Sequence, residues 1–417
     1  MQRSPTALVL GGTTDHRALI ECLHERGYRT VLVDYLADPP AREVADVHVR
    51  ESALDTDAVV RVARATEAEL VISACIDQAL ATACEAAQRL GLSAPFSGAE
   101  AFAMTNKVEM KSRMVRAGIP TSRHVEWGTD DDLAGAGTVR QLDFPVVVKP
   151  ADCNGSRGVR RAVDEAQLRR FADEARQLSR TGKVIVEEFS SGVEVSVDCF
   201  VMDGEVTVLQ VGRIWKKMLG ATDSAITRWT NYSDLSPIAW QRLTEVLTAL
   251  ARAFDLTATP LLVQAMVDGD DISVIEFSPR VGGGSKHILL REALGISMLD
   301  HVIDAFTGHP TSPRPTPCTR MYQQDFLYAS PCLFGELRGT EGLLANGVVD
   351  HVITDKKSGA RISEPLVSSN RMGSVIISAG QPDELAAKAE SVRRTVEAVD
   401  TDGRPVLRKD LLRGPWY

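Results

Sequence analysis

The chain has 417 residues, 44% of them hydrophobic, with 47 basic and 56 acidic side chains and a net charge of −9. That length predicts about two to four structural units, and the composition is that of a chain able to bury a large core. The acidic balance excludes a broad basic field for holding nucleic acid or an anionic membrane, while leaving room for local positive pockets.

Residues 1–6 carry one arginine and lead into Ala7–Leu10, an apolar run of strand length and not a targeting segment. No apolar stretch is long enough to span a bilayer. The seven cysteines, at 22, 75, 84, 153, 199, 318 and 332, follow no CxxC or His-paired spacing. They are expected to be reduced thiols of a cytoplasmic protein, packed as small apolar side chains.

Between residues 7 and 125, short apolar runs alternate with amphipathic stretches. Ala7–Gly11 reads as a strand, Asp15–Arg26 as a helix with Ala18, Leu19, Cys22 and Leu23 on one face, and Thr30–Asp34 as a second strand. Leu70–Ala74 repeats the strand signal before an alanine-rich helix over Gln78–Leu90. Such alternation predicts βαβ units and a parallel sheet. The Gly11-Gly12-Thr13-Thr14 turn fits either a tight strand-to-helix turn or a backbone contact to an anion. Gly12, Asp77 and Gln78 fall near strand ends, where such sheets shape ligand pockets.

From Phe144 the pattern becomes α+β with antiparallel hairpins. Pro145–Lys149 is a strand ending in lysine, followed by a loop over Pro150–Gly158; Val184–Glu188, Val193–Phe200 and Glu205–Val211 are further strands. Leu261–Met266 and Ile272–Phe277 pair around the Asp268-Gly269-Asp270 turn. Pro310–Pro317 reads as a linker. Residues 320–412 mix strands with one helix, expected over Pro382–Val399 from its acidic first turn, and there is no internal repeat.

Three clusters carry chemistry. Lys149 precedes Asn154-Gly155-Ser156-Arg157-Gly158, a loop whose backbone N–H groups suit phosphate oxygens while the lysine adds a point charge. Glu187-Glu188-Phe189-Ser190 reads as a hinge for a purine edge, and Glu194, seven residues past Glu187, is placed to accept ribose hydroxyls. Glu276 ends an apolar strand, where a carboxylate is costly unless paired or metal-bound. Arg280 follows it, suited to an anionic substrate or an oxyanion, and then come Gly282, Gly283 and Gly284. A plain Glu276–Arg280 ion pair is the structural alternative.

In order along the chain, these pieces resemble the ATP-grasp superfamily. Asn106-Lys107, Lys111 and Ala117-Gly118-Ile119-Pro120-Thr121 look like its leading segment. The resemblance implies an N-terminal Rossmann-like unit (1–105), two ATP-grasp subdomains (106–185 and 186–310) and a C-terminal α+β unit (318–417) completing the fold. ATP would be bound by Lys107, Lys149, Gly155, Ser156, Gly158, Glu187, Glu188, Ser190 and Glu194. Mg²⁺, or Mn²⁺, would be bound by Glu276, Gln264 and Ser278. Two positions depart from the family pattern: Gln264 stands where a second acid is usual, and Ser278 where asparagine is common.

The implied reaction is a two-step ligation. A carboxylate takes the γ-phosphate of ATP to form an acyl phosphate, and an amine then displaces phosphate, with Glu276 and Arg280 as catalytic residues. Arg213 and Arg228, in the basic and aromatic segment Gly212–Tyr232, together with Gly283 and His287, are candidates for contacts to the small carboxylate and amine substrates. The basic side chains of that segment equally fit a surface loop, and His287 a surface position. Two other readings stand beside the ligase: a bicarbonate-activating carboxylase of purine-pathway type, and a nucleotide-binding module without chemistry. A homodimer is the family's expectation for assembly.

Overall fold

The computed structural model describes residues 4–127, 141–231 and 234–414. Strands β1 (Thr6–Leu10), β2 (Arg29–Val33), β3 (Val47–Val49) and β4 (Leu70–Ile72) form a parallel sheet in the order β3-β2-β1-β4. Every residue of β1 is buried, without alternation, as a strand between helical layers requires. Helices Thr14–Glu25, Thr56–Ala65 and Asp77–Leu90 supply those layers. The chain runs outward from β1 to β2 and β3, then returns to place β4 on the other side. The carboxyl ends of β1 and β4 therefore form a switch-point crevice, with Gly11–Thr13 on one side and Ser73–Asp77 on the other.

Strands β5 (His124–Trp127), β6 (Val146–Pro150), β7 (Arg160–Ala162) and β8 (Val184–Glu188) form a second, antiparallel sheet in the order β5-β8-β6-β7. Val146, Val148, Val184 and Val186 share a core with Leu168, Phe171, Ala172 and Ala175 of helix Glu165–Leu178. Strand alternation then turns Lys149 and Glu187 to the opposite face.

Five strands follow: β9 (Val193–Met202), β10 (Glu205–Met218), β11 (Ser224–Asn231), β12 (Ala258–Asp268) and β13 (Asp271–Ser278). The C-terminal segment adds β14 (Met321–Leu327), β15 (Cys332–Arg338), β16 (His351–Thr354), β17 (Arg361–Ile362), β18 (Gly373–Ala379) and β19 (Glu397–Asp400). Strands β14, β18 and β16 extend the central sheet to eight strands, ordered β13-β12-β9-β10-β11-β14-β18-β16. A row of paired residues, Glu276–Gln264–Ser196–Gly212, crosses it from β13 to β10. Glu194 and Asp198 flank Ser196 on the same face of β9. The alternate residues Val195, Val197 and Cys199 are buried in the main core with Leu243, Leu247 and Leu250 of helix Pro237–Ala253.

Two expectations change. The helix from Pro382 ends at Thr395, because Val396, Ala398 and Val399 are buried and β19 pairs with β15. The basic and aromatic segment from Gly212 is no loop over its described residues; it lies largely in the β10–β11 hairpin, and Tyr232 falls outside the described residues. The proline segment after His309 is irregular, as expected of a linker, and Thr316 N–H donates to Leu294 O at 2.8 Å.

Candidate functional site

Lys107 opens helix Lys107–Arg116, capped by the Asn106 side chain. Its ammonium donates to Cys153 O at 2.7 Å and lies 3.2 Å from Glu276 Oε2. Lys107 thus joins the base of the glycine loop to β13. Burial pulls the Lys107 ammonium down, but Glu276 and Asp77 outweigh it and hold it above its ordinary value. Burial pushes Glu276 up, and Lys107 and Lys149 bring it below its ordinary range. Lys107 thus contacts Glu276 directly, and Lys149 is near enough to act on it.

Glu187 sits behind them, 3.1 Å from Lys149 Nζ through one carboxylate oxygen and 3.1 Å from Lys111 Nζ through the other. Against the cost of burial, these two lysines lower its pKa to about 2. Lys111 is 1% exposed and also donates to Thr121 Oγ1 at 2.5 Å and Val274 O at 3.4 Å. The Glu187 carboxylate is consequently a structural counter-ion between lysines, and only its backbone is available as a hinge. The Glu188 side chain turns to the surface, where it pairs with Arg123 and accepts from Asp143 N–H at 2.8 Å. Its carboxylate does not face the cleft. Ser190 Oγ lies 3.0 Å from Ser122 Oγ.

In the glycine loop, Gly155 (φ 62°) and Ser156 (φ 63°) are both left-handed. At Gly158 a Cβ would come within 2.7 Å of Leu178 Cδ1, so only glycine fits. Ser368 N–H donates to Gly155 O at 3.3 Å, seating the C-terminal segment against this loop.

Glu276 and Gln264 are direct cross-strand partners, so their side chains share a face. The Ser278 hydroxyl donates its proton to Asp77 Oδ1 at 2.6 Å, which fixes its orientation and leaves its oxygen lone pairs as the ligating capacity. Arg280 Nε donates to the same oxygen at 2.6 Å. The Glu276–Arg280 pair left open as an alternative is absent among the described residues. Instead, an acid from the switch-point crevice holds the arginine. Glu194 is ion-paired with Lys216 of β10.

The remaining candidates separate. Arg228 is held by its cross-strand partner Asp325, with Nε 2.5 Å from Oδ1, in a nearly buried pair. Arg213 stacks on Trp215, its guanidinium carbon 3.7 Å from the ring centroid. His287 is buried, not on the surface, with Nδ1 3.1 Å from Asp15 Oδ1. Gly283 lies over Cys75, at the same crevice. Ser285 N–H, after the triple glycine, donates to Asp15 Oδ1 at 3.0 Å, so that amide is already satisfied.

Asp77 and Lys111 are the residues whose importance the sequence understated. Lys111 stands one helical turn from Lys107, a spacing that could have marked a shared face. Nothing local marks Asp77 as the partner of residues some two hundred positions away.

A family model for the ATP-grasp domain matches residues 142–287. A phosphoribosylamine–glycine ligase of Leifsonia xyli subsp. xyli is 31% identical over 301 residues, which cover 68% of this chain and 69% of that protein. A carbamoyl phosphate synthase large chain of Clostridium acetobutylicum is 27% identical over 173 residues, 41% of this chain. This chain spans only 16% of that larger protein. Among solved structures, an L-amino acid ligase from Bacillus licheniformis superposes with a TM-score of 0.77 at 19% identity, covering 96% of this chain and all of that one, a likeness of fold. With that relative matched over more than two thirds of its length and the domain model falling on the strands that carry Lys149, Glu187 and Glu276, the chain belongs to the ATP-grasp superfamily.

Proposed function

We propose that this chain is an ATP-dependent ligase that activates a carboxylate as an acyl phosphate and joins it to an amine, releasing ADP and phosphate. The observation that carries this reading is the interlocked set Lys107–Glu276, Lys149–Glu187 and Arg280–Asp77 around one cleft. Each cation there can exchange or share its carboxylate with a phosphate oxygen. The relatives named above, two of them ligases of amino acids by name, support the same reaction class.

In this reading Lys107 and Lys149 hold the nucleotide phosphates, and the Gly155–Gly158 loop closes over them. Glu194 accepts the ribose hydroxyls, and the Glu188–Ser190 backbone meets the adenine edge. Positioning and charge neutralisation do most of the work of phosphoryl transfer. Arg280, fixed by Asp77, faces the acyl phosphate and the tetrahedral oxyanion that forms when the amine adds.

The donor set fits a hard divalent cation. Glu276 is one-third exposed and Gln264 offers an amide oxygen beside it. Mg²⁺, with Mn²⁺ as a substitute, would supply positive charge there to offset that of the nucleotide phosphates. Glu276 and Gln264 would hold it, with the Ser278 hydroxyl oxygen beside them.

The test is ADP release from ATP in the presence of mixed amino acids, and separately of bicarbonate. Stimulation by amino acids supports the ligase. Stimulation by bicarbonate alone supports the carboxylase, and neither, with ATP still bound, supports a module without chemistry.

A further inference from the structure

Arg371 is 7% exposed, and among the described residues no ion pair within 4.0 Å is formed with it; Asp355 is the nearby acid on which its charge acts. Its Nε donates to Tyr328 Oη at 2.9 Å, and its guanidinium carbon stacks 3.7 Å from the Phe326 ring centroid. A buried cation without a counter-ion is costly, and a site that awaits an anion explains why one is kept. Its position adds to this. Nη1 lies 3.4 Å from where a Cβ of Gly284 would stand, so the guanidinium abuts the loop that follows Arg280 with no side chain between them. Arg371 N–H donates to Ser368 O at 3.3 Å, and Ser368 touches Gly155 of the phosphate loop. Arg371 thus stands between the two loops that the ligase reading assigns to phosphate and acyl phosphate.

Two acids border the same junction. Asp355 Oδ1 accepts from Thr14 Oγ1 at 2.7 Å, and Asp15 holds the Ser285 N–H. Burial pushes the Asp355 carboxyl up against the Thr14 hydrogen bond, and Asp15 adds to that push while Arg371 opposes it. Asp355 and Asp15 give this junction two carboxylates beside Arg371 and Lys356, a mixed lining that suits a zwitterion better than a phosphate dianion.

We propose that Arg371 anchors the carboxylate of an α-amino acid substrate whose ammonium faces Asp355, an assignment that rests on the ligase reading and names its substrate class. The planar fork suits a bidentate carboxylate contact.

The full chain with MgADP present is titrated calorimetrically with each common amino acid, with the matching carboxamides, and with ribose 5-phosphate. At least one amino acid binds, and its carboxamide binds about tenfold more weakly or worse. Arg371→Gln weakens that amino acid by about tenfold or more and leaves MgADP affinity unchanged. Arg371→Lys recovers part of the loss, and carries the test if Arg371→Gln no longer binds MgADP. Asp355→Asn weakens the amino acid but not its deaminated analogue. The assignment is overturned if no amino acid binds, if the carboxamide binds equally, if ribose 5-phosphate binds in an Arg371-dependent way, or if the Arg371 variants bind the amino acid like the parent. An amino acid that binds through Arg371 without promoting ADP release contradicts the ligase reading and leaves this site standing.

Discussion

Arg280 donates from Nε to Asp77 Oδ1 at 2.6 Å, tying the loop after β13 to the helix that follows β4 in the N-terminal sheet. Burial pushes the Asp77 carboxyl up, and Arg280 more than compensates, holding it below its ordinary value. Removing the acid leaves a buried guanidinium unpaired. Asp77→Ala is expected to destabilise the chain by about 3–5 kcal/mol in urea unfolding. ADP formation should fall with it, even at temperatures where the variant is fully folded. Unchanged stability would mean that Arg280 is held by other contacts.

The Lys111–Glu187–Lys149 triad predicts an acid-sensitive step. The folded-state pKa of Glu187 is lowered to about 2 from 4.5, so its stabilisation is complete above pH 4.5 and is lost as pH falls toward 2. The shift corresponds to about 3 kcal/mol. Glu187→Gln should lower stability at pH 7 and flatten the decline between pH 4.5 and 2. A variant that declines as steeply as the parent would place the acid-sensitive group elsewhere.

Gln264 brings no charge to the cation beside Glu276. Gln264→Glu should lower the Mg²⁺ concentration that half-saturates MgADP binding by about tenfold, and Gln264→Ala should raise it. Identical Mg²⁺ titrations for all three proteins would remove Gln264 from the metal's surroundings.

Glu194 should recognise ribose hydroxyls, in competition with its partner Lys216. The parent should prefer ATP to 2′,3′-dideoxy-ATP by about tenfold, and Glu194→Ala should abolish the preference. If the variant keeps the preference, some other group reads the ribose.

The features legible in the sequence were those encoded locally. The apolar run Ala7–Gly11 announced a strand, and the structure buries every residue of β1. The Pro145–Lys149 run announced a lysine at a strand end, and its alternation places Lys149 beside Glu187. What stayed hidden depended on contacts across the fold. Arg228 lies among basic and aromatic neighbours like a surface residue, yet its counter-charge, Asp325, is a hundred positions away on β14. Ser278 occupies a ligand-like position, and its hydroxyl partner, Asp77, opens a helix of the N-terminal unit two hundred and one positions away. Arg371, between Asn370 and Met372, has no local pattern at all; only packing against Phe326 and Gly284 marks it. Val396–Val399 had helical neighbours, and pairing with β15 decided its conformation.

The central claim, that Glu276 holds the metal end of ATP during carboxylate activation, is tested most directly by Glu276→Ala assayed for substrate-stimulated ADP formation. Loss by about a hundredfold or more, measured at a temperature where the variant is fully folded, is the predicted result. Undiminished ADP formation would contradict it.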